Sequence, residues 1–145
     1  MSSSMPASLS LRIAAGLYDL FPLIALWMLS AGLALLIVHG RIDVAHPPTL
    51  FRFGLRAALL VVSAAYFVIS WARGGQTIGM RAWRLRVVAA DGNALPWPRA
   101  LLRFSIALVS LSVCAIGFLW CLIDPGRRAW HDLGARSAVI RTRSL

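Results

Sequence analysis

Few side chains in this chain are able to do chemistry, and they sit in apolar surroundings. Asp19 lies about two helical turns into a run of 26 nearly all-apolar residues that follows Arg12. A carboxylate at that depth in a membrane costs roughly 2.5–3.5 kcal/mol on insertion scales, so it calls for a partner or a function. Two cations are candidates for that partner. Arg12 shares a helix face with Asp19 but stands ~10.5 Å away along the axis. Arg103 opens a later apolar run at a matching depth. Asp19 is therefore expected to meet Arg103 or Arg12. It would act either as a register-fixing ion pair or as a carboxylate that titrates or binds a cation, as proton carriage requires. Asp132, next to His131 in the tail, is expected to bind Arg127 or Arg128 or to close a helix end.

Other constellations are weak. His131–Asp132 with a nearby serine lacks a nucleophile elbow and an oxyanion-hole signature, so no catalytic residues are assigned and no enzyme is expected. His39 and His46 have no Cys or carboxylate partners at ligand spacing, so no metal site is expected. Gly74, Gly75 and Gly79 precede no GK[ST], so no nucleotide cofactor is expected, nor any other. Cys114 and Cys121 are too far apart for a disulfide if helical.

The elements that must position these residues are membrane spans. Of 145 residues 59% are hydrophobic, well above a soluble domain, and mean hydropathy is +0.76. The run ending at Val38 makes ~39 Å of helix, enough to cross a ~30 Å hydrocarbon core with tilt. Its length and Asp19 argue against a cleaved signal peptide. The fold class expected is an all-α membrane protein with three transmembrane helices, over residues 13–38, 54–71 and 100–123. Residues 1–9 read as a frayed end and 39–53 as a loop. Trp71 is expected at the membrane interface. A polar connection over 72–99 alternates Trp83, Leu85 and Val87 with Arg84 and Arg86, at strand period. Asp91-Gly92 is a turn signal, and Ala94-Leu95 is the expected return strand of a small basic interfacial hairpin or loop. Its apolar side would face the acyl boundary. A basic tail covers 124–145, and the whole 1–145 reads as a single membrane domain.

All 15 basic residues are Arg and all five acidic residues are Asp, giving a formal charge of +10. Arginine binds phosphate bidentately, so the bilayer and its anionic head groups are the expected partners, with Arg81, Arg84 and Arg86 the head-group-facing candidates. The arginines flank apolar spans instead of forming one soluble face, so nucleic acid is not an expected partner. With three spans the arginines divide seven against eight, so the positive-inside rule does not decide orientation.

The order of these pieces resembles the RDD family of small bacterial membrane proteins, named for one Arg and two Asp. Arg12 and Asp19 match the first-span pattern. Gly75-Gln76-Thr77-Ile78-Gly79-Met80-Arg81 matches the segment after the second span, followed by Arg86-Val87-Val88 and Asp91-Gly92. Arg103 matches the Arg opening the third span. Arg127, Arg128, His131, Asp132 and Ser137 match the closing pattern. Met80 replaces the usual Lys and Ser137 the usual Thr. The resemblance makes Arg12, Asp19 and Asp132 the named set, adds Gln76, Thr77 and Gly79 as candidates, and implies a bacterial inner membrane. Relatives often carry soluble domains before the first span, which points to N-in and C-out. The family's activity is mostly unassigned, with transport suggested and ion/proton exchange for some relatives. Three helices hardly enclose a polar path, so transport is expected to need a homo-oligomer or membrane partner, with Asp19 at the helix seam. The alternative is a non-transporting scaffold that holds anionic lipid or a partner protein through its Arg-rich loop.

Overall fold

The computed structural model describes residues 5–38, 41, 43, 45–113 and 116–142. His39, Cys114 and Arg143 lie outside the described residues, so the Cys114–Cys121 reading is not addressed. Strand β1 (Met5–Pro6) leads into helix α1 (Leu9–Val38), and α2 (Thr49–Ile69) follows. Pro48 caps α2 with its φ of −54°. The helix therefore starts five residues earlier than the apolar pattern implied, since a Pro before the first turn loses no hydrogen bond. It continues as a π-turn over Ser70–Gly74. Helix α3 (Ile78–Ala82), strand β2 (Leu85–Ala89) and helix α4 (Trp97–Ser112) come next. Then follow α5 (Ile116–Leu119) with a 3-10 turn over Trp120–Leu122, α6 (Trp130–Gly134) and strand β3 (Ser137–Arg141).

Helices α1 and α2 are each long and apolar enough to cross a membrane, and only 6% of either apolar window is buried inside the protein. Phe21 is 73% exposed, Met28 71% and Leu36 69%. Side chains this apolar face lipid. The expected third span is not one rod: Trp97–Ser112 and Ile116–Leu122 meet at a bend of 109°, a broken span or a re-entrant loop. Straight helix covers only ~24 Å before that bend. There are thus two candidate spans, or three if the bent pair is counted as one.

The three strands form an antiparallel sheet in the order β1-β3-β2. Leu85 pairs with Arg141, Val87 with Val139 and Ala89 with Ser137, while Pro6 pairs with Ile140. Two expectations fall here. The partner of β2 is the tail strand, not Ala94-Leu95, although the Asp91-Gly92 turn forms: Asn93 N–H bonds Asp91 Oδ1 at 3.0 Å and Gly92 has φ +81°. Residues 5–7 are not frayed, because Pro6 is paired and Ala7 is buried. Pairing β1 with β3 also overturns N-in and C-out. Hydrogen-bonded strands cannot sit on opposite sides of a bilayer, so both ends of the described chain lie on one side.

The core is the cap that this sheet makes over the helix ends. It gathers Ala7, Ala15, Val68, Trp71, Met80, Leu85, Val87, Ala89, Leu95, Ala100 and Val139. The period-2 pattern of β2 therefore buries Leu85 and Val87 in protein instead of the acyl boundary. Trp83 precedes the strand and stands edge-on to Tyr18 at 6.1 Å.

Candidate functional site

The predicted polar residues divide between two buried centres. The first is built on Asp132, in α6. Its carboxylate takes ion pairs from Arg12, in the first turn of α1, and from Arg103, in α4. It also accepts the Ala129 backbone N–H at 3.0 Å, which caps α6. Arg12 donates onward to the Arg127 carbonyl at 2.8 Å and Arg103 to Ser137 Oγ at 2.7 Å. Helices α1, α4, α6 and strand β3 are thus tied to one carboxylate. Asp132 is fully buried, and Arg103 is 2% exposed. Burial alone would raise the Asp132 carboxyl, but the charges around it, Arg103 foremost, outweigh that and hold it below the usual range. His131 beside it is pushed down to about 3, first by burial and then by the Arg103 charge, so its ring is neutral at pH 7.

The second centre is built on Asp19, in α1. Asp19 Oδ1 accepts Tyr66 O–H at 2.7 Å and Gly79 N–H at 2.8 Å. Oδ2 accepts Thr77 Oγ1–H at 2.6 Å. Thr77 caps α3, taking the Met80 N–H at 3.1 Å. The Tyr66 hydroxyl in turn accepts Ile78 N–H at 3.2 Å. A Cβ on Gly79 would collide with the Ala15 carbonyl, so only glycine lets α3 lie this close to α1.

The expected pairing of Asp19 with Arg12 or Arg103 is therefore wrong. Both arginines go to Asp132, and the partners of Asp19 among the described residues are neutral donors. Of the roles expected for Asp132, closing a helix end is met by its bond from Ala129 N–H, whereas the expected arginine partners are not. Arg127 contributes a carbonyl, and Arg128 binds Asp124, with its backbone N–H at 2.9 Å and Nε at 3.1 Å. Among the other candidates, Gln76 Nε2 donates to the Leu85 carbonyl at 2.8 Å, fastening the connection to β2. Arg81, Arg84, Arg86 and Arg127 are exposed. Trp71, expected at the interface, is buried, with the Arg103 guanidinium 4.9 Å from its ring centre. Sequence reasoning missed Tyr66. Its signal was a phenol inside an apolar span, a group that needs a polar partner when buried.

The sequence profile of the RDD family matches residues 6–136. The chain belongs to the RDD family. The matched stretch contains Arg12, Asp19, Arg103 and Asp132. Among curated proteins and solved structures no match was found. In this RDD protein the name-giving Arg12 and Asp132 are thus each other's partners, whereas Asp19 belongs to a separate centre with Tyr66, Thr77 and Gly79.

Proposed function

We propose that this RDD protein is a multi-pass protein of the bacterial inner membrane that exchanges a small cation or other small solute for protons. It works as an oligomer, carries out no enzymatic reaction, and uses Asp19 as its exchanging carboxylate. The observation that supports this reading is the company Asp19 keeps. It is 3% exposed, within an apolar span, and its three partners are neutral donors. A buried acid in a membrane helix is a functional candidate by default. No guanidinium contacts this one among the described residues. The five residues of α3 hang on it through Thr77 and Gly79. Hydrogen bonds to a carboxylate are stronger than those to a neutral acid. Protonation therefore loosens α3 and opens the seam between α1, α2 and α3 to the path that the oligomer encloses.

The cap also supports an orientation. Arg41, Arg52 and Arg56 belong to the far ends of α1 and α2, and the other eleven described arginines belong to the cap end. The positive-inside rule then favours a cytoplasmic cap, with both ends of the described residues inside. The test of function is ion-driven proton flux in proteoliposomes. Wild type is expected to exchange and Asp19→Asn to be silent; equal flux, or none in either, defeats the reading.

A second reading is a scaffold that holds anionic lipid or a partner protein. The exposed guanidiniums of Arg81, Arg84 and Arg86 at the cap favour it. Arg84→Glu with Arg86→Glu is expected to abolish co-flotation with anionic vesicles, and unchanged flotation rejects it.

A further inference from the structure

Arg12 and Arg103 pair with the two oxygens of one carboxylate, so α1 and α4 share a level where they meet Asp132. From that level α1 runs on to Val38, about 39 Å of helix, whereas α4 stops at Ser112 after about 14 Å. The hydrocarbon core is ~30 Å thick, so α4 reaches its middle at most. The chain must then return to the side it left, because β2 and β3 are paired. Residues 123–136 supply no second crossing, since they hold Asp124, Arg127 and Arg128.

An internal likeness gives the direction of return. Val87 pairs with Val139 at the centre of the β2–β3 register, and the bonds around the two strands repeat at that same spacing. Arg84 N–H bonds the Arg81 carbonyl at 3.2 Å, and Arg136 N–H the Leu133 carbonyl at 3.1 Å. Thr142 N–H bonds the Arg84 carbonyl and Ala90 N–H the Arg136 carbonyl, both at 2.9 Å. Gly75 and Arg127 share a positive φ, as do Arg84 and Arg136. The segments α3–β2 and α6–β3 are thus two copies of one helix–strand unit about a local twofold axis. The same spacing sets Phe118, in α5, against Tyr66, in α2. Tyr66 accepts Ile78 N–H at the start of α3, and the Phe118 ring lies 4.6 Å from the His131 ring at the start of α6. Helix α5 therefore takes the place of the last turns of α2, which run into the cap. Helix α4 leaves the cap, with Ala100 in its core, and α5 comes back to it. Exposed tryptophans mark both ends, as at a head-group level. Trp97 lies 5.7 Å from the Arg73 guanidinium and Trp120 6.1 Å from Trp130.

We infer that residues 97–123 are a re-entrant hairpin confined to the cap-side leaflet. Its exposed face, with Leu108, Val109, Leu111, Ile116, Leu119 and Leu122, is a docking surface for the acyl chains of that leaflet alone. Of the described helices only α1 and α2 then enter the far leaflet, joined there by Trp27 Nε1–H to Ser63 Oγ at 2.9 Å. The inference involves neither Asp19 nor flux, so it stands or falls apart from the exchange reading.

The test is the reaction of an impermeant maleimide with the full chain in sealed membrane vesicles of known orientation, in a Cys114→Ser, Cys121→Ser background. Pro125→Cys is expected to label from the face that labels Asn93→Cys, and to lose all labelling from the face that labels Arg41→Cys. Nitroxides on Leu111→Cys and Ile116→Cys are expected to collide with oxygen and not with a nickel chelate, as lipid-facing groups do. Trypsin needs no variant: the vesicle face at which it cuts wild type at Arg127 or Arg128 is expected to leave Arg41 intact. Labelling of Pro125→Cys together with Arg41→Cys overturns the inference. So do trypsin cuts at Arg41 and at Arg127 or Arg128 from one face, or nitroxides that collide with nickel as freely as with oxygen.

Discussion

Arg12 and Asp132 stand 120 residues apart in the chain and meet in a buried ion pair. The pair closes the start of the first span onto the short helix before the last strand. Together with β1 on β3 it brings both ends of the described residues to one side of the helices. The cap is thus one unit made from three distant segments, and a single carboxylate ties α1, α4 and α6 within it.

Replacing Asp132 tests that dependence. Asp132→Asn leaves two buried guanidiniums without a counter-charge, and breaking a buried pair in this way costs about 3–5 kcal/mol. The variant is expected to unfold at markedly lower temperature and to lose protease resistance across 127–141. An unchanged midpoint contradicts the clamp.

Asp19 is expected to behave differently. In Asp19→Asn the amide oxygen still accepts Tyr66 O–H and Gly79 N–H, while its NH₂ donates to Thr77 Oγ1. The cost is about 1 kcal/mol, whereas Asp19→Leu orphans all three donors and costs about 3 kcal/mol or more. Denaturation of the two variants in the same detergent measures the gap; equal losses would mean that these bonds do not hold α3.

Gly79→Ala has to push α3 away from the Ala15 carbonyl. Overpacking of this kind costs about 1–3 kcal/mol. The expected signature is local, with faster hydrogen exchange at 77–82 and little change in β3. Exchange unaltered at 77–82 would show that the close approach is not needed.

Acid should weaken the cap through His131 before it reaches Asp132. His131 has a folded value of about 3 against an ordinary 6.5. The unfolded chain therefore binds more protons between these values, and stability falls as pH drops through that window. The limit is about 1.4 kcal/mol per pH unit. Asp132 is depressed below the usual carboxylate range, so its contribution is lost only at more acid pH, below about 4. Midpoints of wild type and His131→Phe between pH 7 and pH 4.5 separate the two groups. The wild-type slope is expected to flatten in the variant, and parallel curves would contradict the assignment.

Much of this was legible in the sequence, for physical reasons. The two long spans follow from apolar length alone. The period-2 run at Leu85–Val87 marks a strand whatever its neighbours are. Thr77 and Gly79 were visible as a motif. The partner of that strand was not legible, because Ser137–Arg141 lies some fifty residues away and Ala94-Leu95 offered a closer return. The sharing of cations between the acids was also hidden. Arg12 and Arg103 lie at a depth that suits Asp19, and only the folding back of the chain after the 109° bend brings Asp132 between them. Neutral donors such as Tyr66 and a backbone N–H leave no charge pattern to read. The bend that leaves the described residues with two or three candidate spans was hidden too, since hydropathy does not register a bend.

The central claim is that the two name-giving acids do different work, Asp132 as a clamp and Asp19 as the exchanging group. The most direct measurement is the dequenching of a pH dye trapped in proteoliposomes when sodium or potassium is added outside, for wild type and for folded Asp19→Asn at matched protein density. Dequenching by wild type and a signal at the protein-free baseline for Asp19→Asn is the predicted result. Dequenching by Asp19→Asn at the wild-type rate, or none by either protein, would contradict it.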